Sequence, residues 1–121
     1  MSYTGYVTTG SVCSRFHKAV ELIGGRWTGP ILQAVLADRH RYADIKEAVP
    51  GVSDTMLTQR LRALEAEGLL ERRVLPTSPV RVEYHATEKG SALLPALAAV
   101  AAWAEDWIEL DAGSAQEVHS A

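Results

Sequence analysis

Thr55, Gln59 and Arg62 recur at helical spacing, and their hydroxyl, carboxamide and guanidinium groups are suited to meeting the edges of nucleobases. Glutamine can pair bidentately with adenine and arginine with guanine, while threonine offers a hydroxyl and a methyl. Leu57, Leu61 and Leu64 occupy the other side of the same helical wheel, with Thr58 and Ala63 flanking the polar face. Ser53 stands at the N-cap position, where first-turn N–H groups can hold a phosphate and Asp54 opposes it slightly. Further on, Arg81 follows a Pro-rich turn that would carry it to a minor groove or a phosphate, unless Glu83 or Glu71 pairs with it. Arg39, Arg41 and Lys46 precede the helix, where such charges are mostly solvated. Arg60 lies nearer the buried flank, where packing or an ion pair serves as well as nucleic-acid contact. Any helix exposes some Thr, Gln and Arg to water, so the assignment rests on the elements around this one.

Cys13 is the other reactive side chain. A lone cysteine excludes an intrachain disulfide framework and a multi-cysteine zinc site. Arg15, His17 and Lys18 would favour its thiolate if they lie close. Oxidation would then give an intersubunit disulfide, a mixed disulfide or an adduct; the alternative is a buried, inert thiol. Cys13 and His17 at i, i+4 are too few to hold a metal. His17, His40, His85 and His119 are scattered, and no phosphate loop or nucleophile motif accompanies them, which argues against an enzyme and implies no cofactor.

The elements that must position these groups follow from periodicity. Phe16, Ala19, Val20 and Ile23 mark a first helix over 14–23, stopped by Gly24-Gly25. Thr28 is placed to cap a second helix with Pro30 in its first turn and Ile31, Leu32, Val35 and Leu36 facing inward. Asp38 to His40 read as a connection. A short third helix, with Tyr42, Ile45 and Val49 inward, ends at Pro50-Gly51. The helix over 54–67 follows, closed by Gly68. The period then changes to two, and Leu70 to Leu75 and Val80 to His85 form a hairpin around Pro76-Thr77-Ser78-Pro79. Thr87 caps a long last helix to about Leu110. This is a mainly α fold with a small β-hairpin, the order of a winged helix-turn-helix, in which the helix before the hairpin enters the major groove.

At 121 residues the chain holds one domain, divided as an N-terminal arm over 1–12, the winged helix over 13–110 and a flexible tail over 111–121. The absence of a signal-peptide pattern or a long apolar run predicts a cytoplasmic protein that does not enter a membrane. A net charge of -3 argues against phosphate binding until its distribution is considered. Residues 26–90 hold ten Lys/Arg against nine Asp/Glu, whereas 91–121 hold five acids and no Lys or Arg. The acidity belongs to the C-terminal segment. That segment carries a broad apolar stripe of Leu93, Leu97, Val100, Ala104 and Trp107, with Trp103 beside it, and pairing with a second copy would bury it. The near-neutral body keeps a rival open, namely a winged helix used only to bind protein.

The segments Leu22-Ile23-Gly24-Gly25-Arg26-Trp27-Thr28, Arg41-Tyr42 to Ile45, Pro50-Gly51-Val52-Ser53 to Gln59-Arg60-Leu61, Leu64 to Leu69, and Pro79 to Tyr84 together resemble the HxlR-type regulators, a MarR-related branch of winged-helix proteins. The resemblance covers roughly 13–110 and implies a dimeric regulator of transcription whose recognition helix and wing contact double-stranded DNA at an inverted repeat. It also implies that Cys13 occupies the region where some members sense quinones, aldehydes or oxidants; a small-ligand-responsive regulator with an inert Cys13 is the alternative. Gly29-Pro30 and His85 depart from the family pattern.

Overall fold

The structure, a computed structural model, describes residues 13–110. The expected N-terminal arm and C-terminal tail lie outside the described residues. The chain runs α1 (Ser14–Ile23), α2 (Thr28–Leu36), α3 (Tyr42–Ala48), α4 (Asp54–Ala66), β1 (Leu70–Leu75), β2 (Arg81–Ala86), α5 (Glu88–Ser91) and α6 (Leu94–Trp107). It is a mainly helical fold with a two-stranded antiparallel hairpin and a long C-terminal helix. No helix among the described residues is long and apolar enough to cross a membrane.

The core forms where the inward faces of α2, α3 and α4 meet. Ile31, Leu32, Val35, Ile45, Leu57, Leu61 and Leu64 are buried, and Leu69, Leu70 and Leu97 close the cluster from the hairpin and α6. The α3–α4 turn reverses at Gly51, whose φ of 92° is a conformation that glycine tolerates and most residues avoid. Gly68, at φ 77°, ends α4, and Leu69 N–H then reaches back to the Leu64 carbonyl. The hairpin pairs Leu70 with Ala86 through Leu75 with Arg81.

Three local expectations are corrected. Thr28 does not cap α2: it is the buried first residue of that helix, and Trp27 occupies the cap with a φ of 74° and no side-chain capping bond. A bulky residue rarely adopts that backbone; burial of the indole and the Arg26 guanidinium 5.0 Å from its ring centre hold it there. The last helix is not continuous. Thr87 caps α5 through Gly90 N–H, but Pro95 has no N–H to offer the Ser91 carbonyl, so the chain turns at Ala92–Leu93 and α6 starts anew. Residues 38–40, expected to be plain connection, lead with Arg41 into a short third edge of the sheet: Arg41 bridges Glu83, and Tyr84 N–H donates to the His40 carbonyl at 2.7 Å.

Helix α1 meets the core only near its C-terminal end, where the partly buried Leu22 packs against it. No residue of α1 is buried, and Phe16 and Val20 are exposed.

Candidate nucleic-acid interface

Helix α4 is oriented by its leucines. With Leu57, Leu61 and Leu64 locked inward, the 100° step leaves Thr55, Gln59 and Arg62 exposed together on the outer face. Thr58 is half-buried at the edge of that face, beside Tyr42. Ser53 caps the helix, its Oγ accepting from Met56 N–H at 3.1 Å, so this acceptor is engaged within the chain.

Asp54, expected to repel a phosphate at this helix end, is offset by its neighbours. Lys46 Nζ donates to Asp54 Oδ1 at 2.9 Å and the Tyr42 hydroxyl donates to the same oxygen at 2.8 Å. The Lys46 hydrogen bond, then that of Tyr42, holds the Asp54 carboxyl below its usual value, and the same bond raises Lys46. Burial raises the Tyr42 phenol above its ordinary range. Because the folded-state value of Asp54 is depressed, its contribution to stability is complete above the unfolded carboxylate value of about 3.9 and is lost as pH falls through the lower folded value. Wild type should therefore be more stable than Asp54→Asn at neutral pH, with the two denaturant midpoints converging in strong acid. A gap that is unchanged down to the acid transition would contradict the pairing.

The wing places a second group of cations. Arg81 stands at the start of β2, its Nη1 3.8 Å from Glu83 Oε2, while Glu71 pairs with Arg73 instead. Glu83 is drawn chiefly toward His85 Nε2 at 2.9 Å, and this hydrogen bond holds its carboxyl below the usual range. Arg41 and Arg81 both line a hollow of about 310 Å³ with the wing-tip residues Thr77 to Val80. By sequence alone Arg41 is indistinguishable from the solvated loop charges around it. The single bridge that brings it to the wing has no periodic signature, and only its place before the tyrosine of α3 hinted at a role. Arg39 and Lys46 are tied to Glu47 and Asp54 respectively. His85, the departure from the family pattern, stacks on His40 with ring centres 3.9 Å apart, fastening β2 to the short third edge.

The residues expected at a dimer interface separate into two groups. Leu97 belongs to the domain's own core, Leu93 packs against it and Ala104 is half-buried, whereas Val100, Trp103 and Trp107 are 61%, 58% and 74% exposed. Cys13 is half-buried at the N-cap of α1.

A tight helix-turn-helix whose second helix turns Thr, Gln and Arg outward, followed directly by a hairpin carrying arginines, defines a winged helix-turn-helix DNA-binding protein. The family model described as HxlR-like helix-turn-helix matches residues 22–112, and the chain belongs to that family of transcription regulators. It is 42% identical over 98 residues to the uncharacterized HTH-type transcriptional regulator YvaP of Bacillus subtilis, covering 81% of this chain and 91% of that one. The reduced form of the transcriptional regulator YodB from B. subtilis superposes with a TM-score of 0.71 at 41% identity, covering 81% of this chain and 96% of YodB. The redox regulator HypR in its oxidized form superposes with a TM-score of 0.74 at 30% identity, covering 79% of this chain and 99% of HypR. YodB has also been solved diamide-treated and quinone-bound.

Proposed function

We propose that this regulator acts as a homodimer on an inverted repeat in double-stranded DNA, and that modification of Cys13 by an oxidant or electrophile changes its hold on that site. The observation that carries the reading is the shared exposure of Thr55, Gln59 and Arg62 on α4, followed in the chain by a wing whose hollow Arg41 and Arg81 both line. Gln59 and Arg62 read base edges, with Thr55 and Thr58 beside them. Arg81, Arg41 and the capped end of α4 at Ser53 meet phosphates and fix the register.

Dimerisation is supported by apolar surface that the domain leaves uncovered. Val100, Trp103 and Trp107 on α6, together with Phe16 and Val20 on α1, are exposed well beyond what scattered surface residues require. A two-fold axis through this face sets two α4 helices about 34 Å apart, one turn of duplex. The double substitution Val100→Asp/Trp103→Asp should convert the dimer to a folded monomer in light scattering and weaken DNA binding. An unchanged dimer mass would show that the copies meet elsewhere.

Cys13 is the half-buried N-cap residue of α1. Because α1 also carries Phe16 and Val20, chemistry at Cys13 acts on a helix of the proposed interface. The redox and quinone-bound forms of the relatives support the same role. With a quinone, the thiolate would add to a ring carbon, one ring oxygen would take a proton from solvent, and the proton on the attacked carbon would move to the other oxygen, leaving an aromatic hydroquinone thioether with no leaving group. Benzoquinone should release wild-type protein from its DNA, lowering affinity at least about tenfold, and should leave Cys13→Ser bound. Full release of Cys13→Ser would remove Cys13 from the mechanism.

A further inference from the structure

We propose that Asp54 restrains the protein's own affinity for DNA: its carboxylate occupies Lys46 and the Tyr42 hydroxyl, two donors that would otherwise hold a backbone phosphate beside the start of α4. Tyr42 and Lys46 stand one turn apart on α3, so their side chains leave the same side of that helix. Both converge on one anionic oxygen, Asp54 Oδ1, Lys46 Nζ at 2.9 Å and Tyr42 Oη at 2.8 Å. A point charge and a neutral O–H meeting at one oxygen is also how lysine and tyrosine take a phosphate. Lys46 Nζ makes no other ion pair or hydrogen bond among the described residues, so release of Asp54 would leave it free.

Nothing else in the fold calls for a carboxylate at this position. Ser53 already caps α4, and the Asp54 side chain is 70% exposed, outside the leucine seam. An acid in the first turn favours the helix through its dipole, and the bond to Lys46 adds to that. Both effects oppose DNA. The N-terminal residues of a recognition helix lie closest to the duplex, and here that end carries a negative charge and silences a lysine. Stability and affinity are therefore set against each other at one residue. Because a phosphate contact carries no base information, the restraint acts on every sequence alike. The inference rests on α4 being the helix that enters DNA.

The test measures binding of the full chain by fluorescence anisotropy, on a duplex selected from a random library and on a random duplex, across a series of salt concentrations. Asp54→Ala should bind both at least about threefold more tightly and steepen the logarithmic salt slope by about 0.9, the signature of one added phosphate contact. Adding Lys46→Met should return affinity to near the wild-type value. Adding Tyr42→Phe, which alters no charge, should remove about half of the gain. Asp44→Ala, which removes an exposed acid of α3 that makes no ion pair among the described residues, should leave the slope unchanged. Asp54→Asn keeps the side chain's shape and serves if Asp54→Ala fails to fold. Three results would overturn the proposal: wild-type affinity and slope in the Asp54 variants, an equal gain in Asp44→Ala, or a gain that survives Tyr42→Phe in full. If wild type itself showed no preference between the two duplexes, the assignment of α4 as the reading helix would fall, and this proposal with it.

Discussion

Replacing Gln59 and Arg62 together by alanine should leave the fold and dimer intact while lowering the preference for the regulator's own site over random duplex by at least about 30-fold. Each bidentate base contact discriminates by about 1–3 kcal/mol, and the smaller figure for both already gives that factor. The two side chains lie one helical turn apart, so their losses need not add. Both are exposed and neither contributes to the leucine seam of α4, so stability should change by no more than about 0.5 kcal/mol. The comparison that isolates reading from general attraction is Arg81→Ala. Loss of this cation should weaken binding to all sequences alike and lower the steepness of the salt dependence by about one phosphate contact. If the double variant instead weakened specific and random binding equally, α4 would be an electrostatic support and not the reading element.

The second large effect concerns the joint between wing and C-terminal helices. Gly90 is buried, and a Cβ at that position would lie 2.1 Å from the Leu69 carbonyl oxygen. That oxygen belongs to backbone and already accepts from Thr87 N–H at 3.1 Å, so it has no flexible end to swing aside. Gly90→Ala should therefore destabilise by about 1–3 kcal/mol, as overpacking of a fixed contact does. In a domain of this size each kcal/mol moves the melting temperature by about 4–8 °C, so the drop should be plain in a thermal scan. A melting temperature within a degree of wild type would mean that α5 stands farther from the end of α4 than described.

What the sequence could reveal about this fold divides along physical lines. The period of Leu57, Leu61 and Leu64, the cap at Ser53 and the glycines at 51 and 68 are local signals, and they located α4 and its outward face. The two strands of the hairpin followed from alternation, with β2 one residue later than expected, while their pairing register did not. Contacts made by single residues across long separations were not legible: the Arg41–Glu83 bridge, the His40–His85 stack and the orphaned Arg60 Nε–H have no pattern in the chain. The apolar spacing of α1 was visible, but periodicity cannot say whether the partner of a stripe lies in the same chain. The break between α5 and α6 was missed, although Pro95 lacks the N–H that the expected continuous helix from Thr87 would use. Trp27 as a left-handed cap was beyond local reading, because packing holds a backbone that the residue disfavours.

The central claim, that α4 and the wing of a two-fold dimer read a defined DNA sequence, is tested most directly by selecting duplexes bound by the full chain from a random library. Enrichment of an inverted repeat with half-site centres about 10 base pairs apart, bound by two protomers and lost in the Gln59→Ala/Arg62→Ala variant, is the expected result. Recovery of no common sequence after repeated rounds, with binding that follows salt concentration alone, would contradict it.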